Sequence, residues 1–128
     1  MITPVTTDKA PKAIGPYSQA ARAENFLFIS GQISIDPSTN ELQLFSGNAT
    51  EQAKLVLKNL GAILASEKLT PNHVVKTTIF LKSMNDFAAI NDVYANFFGT
   101  HKPARATVEV ARLPKDVAVE IEAIACYT

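Results

Sequence analysis

Val74-Val75-Lys76-Thr77-Thr78-Ile79-Phe80-Leu81 is a β-branched and apolar run that reads as a strand. It lies between two stretches of helical periodicity. On its N-terminal side Asn48 is placed to cap a helix, and Glu51, three positions on, to reach back in a capping box. Ala53, Val56, Leu57, Leu60, Ile63 and Leu64 then recur as one buried stripe, with Pro71 beyond its end. On the other side Ser83 and Asp86 suggest a second capping box. Phe87, Ile90, Val93, Tyr94, Phe97 and Phe98 form the apolar face of a second helix, which Gly99 can end.

Further strands are expected outward from this centre. Phe26-Leu27-Phe28-Ile29 is a short apolar run ending in Ser30-Gly31-Gln32, which predicts a buried strand entering a bulge or turn. Asp36-Pro37-Ser38-Thr39-Asn40 is a turn cluster. After Pro103 two strands are expected, near 105–110 and 117–126, joined by 111–116. Two helices with five or six strands predict a two-layer α+β domain spanning 1–128, with the helices on one face of the sheet. The other face would carry small, polar and β-branched residues. Packing of such faces between copies is the expectation for a chain of this size.

The chain has 128 residues and is 47% hydrophobic, enough to build a core without disulfides or metal. Twelve Lys and Arg balance twelve Asp and Glu, so no net charge draws it to nucleic acid or to an acidic membrane. The single cysteine, Cys126, is read as a small buried residue near a strand end, in a reducing, cytoplasmic setting. His73 and His101 have no Cys or His at ligand spacing, so no metal site is expected. Neither a signal peptide nor a membrane span is expected.

The last two strands carry the chemistry. Alternation puts Arg105, Thr107 and Glu109 on one face of the first, and Glu120 and Glu122 on one face of the second. A hairpin register pairing 110 with 115 would pair 105 with 120 and bring Arg105 and Glu120 to the same side of the sheet. The residues alone leave two readings open. One is a structural cross-strand ion pair. The other is an arginine fork that grips a substrate carboxylate beside a glutamate that holds a water and moves protons. Tyr17, after Gly15-Pro16, is either a turn aromatic or a pocket-mouth hydroxyl. Asn91 either bonds nearby backbone or faces a site. Gln32 reads as a turn residue.

Ala13-Ile14-Gly15-Pro16-Tyr17-Ser18-Gln19, Ile29-Ser30-Gly31-Gln32-Ile33, Val75-Lys76-Thr77-Thr78, Pro103-Ala104-Arg105, Val108 to Asp116 and Glu120-Ile121-Glu122-Ala123 together resemble the reactive intermediate deaminase A (RidA) family. The resemblance is ordered along nearly the whole chain. It implies a chorismate-mutase-like α+β fold with a mixed sheet covered by two helices, assembled as a homotrimer with clefts between subunits. It implies hydrolysis of enamines and imines such as 2-aminoacrylate and 2-iminobutanoate to 2-keto acids and ammonia, disposing of products of pyridoxal-phosphate-dependent dehydratases. In that reading Arg105 binds the substrate carboxylate and Glu120 orients or activates water. Tyr17, Ser30, Gly31 and Asn91 line or support the cleft, and no cofactor or metal takes part. Some relatives carry a cysteine where this chain has Thr107, which removes a thiol nucleophile and leaves a hydrogen-bonding hydroxyl. An RNA-acting translation inhibitor and a non-catalytic small-carboxylate binding module are the alternative functions.

Overall fold

The computed structural model describes residues 1–128. In chain order the elements are β1 (Ile2–Val5), β2 (Ala20–Ala23), β3 (Phe26–Gln32), β4 (Ile35–Asp36), β5 (Glu41–Leu42), α1 (Ala49–Ser66), β6 (Val74–Leu81), α2 (Phe87–Phe98), β7 (Ala104–Glu109) and β8 (Val119–Cys126). Six strands form one sheet in the order β1-β2-β3-β8-β6-β7, and β4 and β5 make a small separate pair. Only β6 and β7 run parallel; every other pairing is antiparallel. The α+β class and the mixed sheet therefore match expectation.

The connectivity explains why both helices share a face. β3 and β6 each lie antiparallel to β8, so they run parallel to each other and α1 is the crossover between them. α2 is the crossover from β6 to β7. Both steps move in the same direction across the sheet. Crossovers of one hand taken in one direction fall on one side. α1 packs on β3 and β8 and against α2. Its stripe, Ala53, Val56, Leu57, Leu60, Ile63 and Leu64, is almost completely buried and joins Leu27, Ile79, Leu81, Ile121 and Ile90 in one core.

Helix ends depart from the expected boxes. Asn48 accepts the Glu51 backbone N–H at 3.0 Å, but the Glu51 side chain turns outward to Lys54 at 2.8 Å instead of closing the box. Ser83 accepts from the Asn85 N–H in a 3₁₀ turn, Met84–Asp86, which leads into α2, and Asp86 supplies no side-chain cap. Gly99, at φ +63°, ends α2 as expected.

The predicted hairpin between the last two strands is not formed. β6 lies between β7 and β8, with Arg105 beside Thr77 and Glu120 beside Phe80. The physical reason is burial. Val119, Ile121, Ala123 and Ala125 make one face of β8 wholly apolar, and the strand is hydrogen-bonded on both sides at the centre of the sheet. β7, exposed along most of its length, takes the edge. The intervening segment steps past β6, anchored where Val110 donates to the Leu81 carbonyl and Lys82 to the Ala118 carbonyl.

On the sheet face away from the helices, Phe26 and Phe28 are 43% and 46% exposed and Val108 is 41% exposed. Cys126 sits on this face at the end of β8, partly exposed rather than buried, because its register partner is Phe26. Leu60, with no exposed surface, lies at the centre of the α1 stripe. Leu60→Ala is expected to lower unfolding free energy by about 2–5 kcal/mol, read from urea denaturation.

Candidate functional site

Two clusters of polar groups stand out, and each contains residues singled out from the sequence. The first is built on β7 and α2. Arg105 points to the helix side of the sheet, and its Nη1 donates to Asn91 Oδ1 at 2.6 Å. Its guanidinium lies 4.9 Å from the Tyr94 ring centroid and 5.5 Å from that of Phe87. Asn91 thus bonds a side chain rather than nearby backbone, and it fixes one edge of the fork. The two ion pairs of the protein are Lys54–Glu51 and Arg112–Asp116, so no carboxylate neutralises Arg105. An exposed guanidinium held by a neutral amide keeps its remaining donors available for an anion. A cavity of about 340 Å³ opens beside it, between α2 and the segment that leads into β7.

The second cluster is built on the bulge in β3. Ile29 pairs with Ala123 and Gln32 with Ile121, so Ser30-Gly31 carry the extra residue. Gln32 supports the bulge by donating to the Ser30 carbonyl at 3.0 Å. Ser30 Oγ donates to the Ser18 carbonyl at 2.6 Å, and its N–H to the Gln19 carbonyl, which ties the bulge to the turn carrying Tyr17. That turn needs Gly15, whose φ is +123°. Tyr17 is 53% exposed and lines a small cavity with Gly31. Glu120 folds over Gly31. A Cβ added at Gly31 would fall on a Glu120 carboxyl oxygen and within 2.8 Å of its Cδ. Only a glycine leaves room for the carboxyl there. Burial, and secondarily the charge of Glu122, push the Glu120 carboxyl above its ordinary value.

The structure does not bring Arg105 and Glu120 together within one chain. Arg105 is level with Thr77 and Ala123, whereas Glu120 is three residues further along β8 and two strands over. At about 3.3 Å per residue and about 4.8 Å per strand, their Cα atoms are about 14 Å apart. The side chains also leave opposite faces, because Arg105 is in register with Thr77 and Glu120 with Phe80, and the two β6 positions differ by an odd number. The expected cross-strand pair is therefore replaced by two separated half-sites. Thr107 lies on the Arg105 face, and its hydroxyl is buried without a hydrogen-bond partner. No three His, Cys, Asp or Glu side chains gather into a metal-holding group. No helix is long and apolar enough to cross a membrane.

Three contributors escaped the sequence reading. Gln19 is a buried staple whose amide accepts from Thr7 N–H and donates to the carbonyls of Thr7, Ala10 and Pro11. Tyr94 and Thr77 share a buried hydroxyl–hydroxyl bond of 2.7 Å beneath Arg105. Tyr94 showed in the sequence only as one more apolar-stripe residue, and nothing in the spacing pointed to its hydroxyl.

A two-layer α+β protein with a helix-anchored arginine at the sheet edge is the class that this geometry defines. Residues 7–127 match the family described as endoribonuclease L-PSP, and the chain belongs to that family. It is 57% identical, over 94% of both chains, to a RutC family protein of Pyrococcus horikoshii. It is 50% identical to the mouse 2-iminobutanoate/2-iminopropanoate deaminase, covering 94% of this chain and 88% of that one. A crystal structure of a Rid family protein from Yersinia pestis superposes with a TM-score of 0.94 at 46% identity, covering 98% of this chain and 99% of the other.

Gly31→Ala tests the packing of Glu120. The variant is expected to fold, because the flexible carboxyl can swing away. The Glu120 titration midpoint, read by carboxyl ¹³C NMR, should then fall toward the ordinary value near 4.5.

Proposed function

We propose that the protein is a hydrolytic deaminase of small 2-imino acids, with its site completed between copies of the chain in a homotrimer. Arg105 and Asn91 come from one subunit, and Tyr17, Ser30, Gly31 and Glu120 from its neighbour. The observation that carries this reading is the Arg105 guanidinium, aimed by Asn91 and neutralised by no carboxylate of its own chain. A planar fork with free donors fits a carboxylate of a small acid. Support comes from the separation of the two half-sites, which act on one small molecule only if a second chain closes the gap. The exposed Phe26, Phe28 and Val108 supply an apolar face for such packing. The name of the mouse relative agrees with this substrate class.

The chemistry asks little beyond placement. Arg105 holds the carboxylate and presents the C=N carbon to a water on Glu120. The Glu120 carboxylate accepts a proton from the water as its oxygen bonds to carbon and passes that proton to the imine nitrogen, which gives a carbinolamine. The carbinolamine then collapses, the C–N bond breaks, and a 2-keto acid and ammonia leave. A carboxyl with a raised pKa suits this role, since it accepts a proton in one step and returns it in the next. Zero formal charge and three tyrosines, seven phenylalanines and no tryptophan offer no evident platform for RNA. The small-molecule reading is accordingly preferred to an RNA-acting one.

A coupled assay tests it: a threonine dehydratase generates 2-aminocrotonate and semicarbazide traps the surviving imine. Wild type is expected to speed the loss of imine, and Arg105→Ala to abolish the effect. Arg105→Lys should lose most of it, because an ammonium lacks the fork. Glu120→Gln should cut kcat by about 10²- to 10⁴-fold.

Acidity gives an independent check. The ionised Glu120 is the active form, so kcat/KM should fall as pH drops through the raised Glu120 value, above the ordinary 4.5. That limb should be missing from the residual activity of Glu120→Gln. Arg105→Ala and Glu120→Gln chains, each nearly inactive alone, should regain activity when refolded together, with intact half-sites meeting at about a quarter of the interfaces under random mixing. Absence of any recovery would refute the shared site.

A further inference from the structure

Arg105 stands on an exposed edge strand, where a long side chain ordinarily samples many rotamers. Three residues of α2 restrain it. Phe87, Asn91 and Tyr94 are spaced four and three apart and so share one helix face. Asn91 bonds one nitrogen of the guanidinium, while the rings of Tyr94 and Phe87 lie at 4.9 and 5.5 Å. The amide alone leaves the fork free to swing about that one bond. A ring beside the guanidinium removes that freedom, provided that the ring itself cannot move.

Tyr94 is only 8% exposed, and the Phe98 ring sits 4.6 Å from it, centroid to centroid. A buried hydroxyl costs stability unless it is bonded, and Thr77, 1% exposed, supplies the partner at 2.7 Å. Thr77 is also the residue of β6 in register with Arg105 of β7. A closed circuit results: the β6 position beside the Arg105 backbone also bonds the ring that carries the Arg105 side chain. For filling a core, phenylalanine would do as well, as Phe97 and Phe98 do one turn along. The hydroxyl is what locks the ring to the strand.

We propose that Tyr94 and Thr77 are a positioning pair that sets the aim of the Arg105 guanidinium toward a bound carboxylate. This rests on the reading of Arg105 as the carboxylate-binding group. Neither residue touches the reacting atoms, and their effect reaches the substrate through the arginine.

The test compares Tyr94→Phe, Thr77→Val, Thr77→Ser and Tyr94→Leu with wild type and Arg105→Ala. Three readouts are used: 2-iminobutanoate turnover, calorimetric binding of 2-oxobutanoate, and ¹⁵N relaxation of the Arg105 Nε–H. Tyr94→Leu should raise KM and the 2-oxobutanoate Kd by about tenfold, with the change in kcat much smaller, because cation–π support and orientation are lost together. Thr77→Val and Tyr94→Phe, which keep shape and lose only the hydroxyl bond, should raise KM by about threefold and make the Arg105 Nε–H visibly more mobile. Thr77→Ser should restore the wild-type behaviour. A merely structural pair would lower the melting temperature and leave KM, Kd and Arg105 mobility unchanged below it. That result in Thr77→Val and Tyr94→Phe, with Arg105→Ala still losing 2-oxobutanoate, overturns the positioning role alone. Undiminished 2-oxobutanoate binding by Arg105→Ala overturns the carboxylate grip and the positioning role with it.

Discussion

β8 is hydrogen-bonded on both sides and apolar along one whole face, and the placement of every functional group follows from its position between β3 and β6. With β8 in the centre, β3 and β6 run parallel to each other and need a crossover, which places α1 over the core. The next crossover, α2, falls on the same side and delivers β7 to the edge. Parity does the rest. Side chains of β8 and β7 that share a face are decided by the intermediate strand β6, not by their spacing in sequence. Glu120 therefore projects away from the helices beside the bulge of β3, and Arg105 projects toward α2.

The loops that carry the second half-site have little regular structure, so buried amides replace it. Gln19 satisfies one N–H and three carbonyls of the segment before Tyr17. Gln52 of α1 bridges the Leu44 carbonyl and the Ala118 N–H, joining the α1 entry to the start of β8. Asn59 donates to the carbonyls of Ile33 and Ile35 just after the bulge. Each such bond avoids a buried, unpaired backbone group, which would cost about 1–3 kcal/mol. These three side chains buttress the segments that flank Tyr17, Gly31 and Glu120. The first half-site uses other means, an amide and two rings from a helix, because its arginine stands on an exposed strand.

Much of the fold was legible because it rests on local physics. The stripe from Ala53 to Leu64 is buried throughout, the stripe from Phe87 to Phe98 is buried at Ile90, Tyr94 and Phe98 and partly buried at Phe87, Val93 and Phe97, and Val74–Leu81 forms its strand. The bulge at Ser30-Gly31 was visible as a glycine after an apolar run. The short strands Ile2–Val5 and Ala20–Ala23 were not, since neither four-residue segment alternates strongly enough to mark a strand by itself. The hairpin expected from the connection over 111–116 failed for a different reason. A loop of that length serves a neighbouring strand or a strand one place over, and burial of β8 selected the second. Among site residues, Arg105 and Glu120 announced themselves as charges in apolar strands, whereas Gln19, Tyr94 and Thr77 act through hydroxyls and an amide that composition does not distinguish from core or turn residues.

By itself the sequence determined the α+β class, the two amphipathic helices, the family resemblance and the identity of the charged groups, because periodicity, turn chemistry and motif order are properties of neighbouring residues. Tertiary structure alone decided that β6 separates β7 from β8, that Arg105 is held by Asn91 and Tyr94, and that Glu120 lies over Gly31 with its carboxyl pushed above the ordinary range. Those outcomes depend on which strand wins the centre of the sheet, and that competition is settled by apolar area brought together from distant parts of the chain.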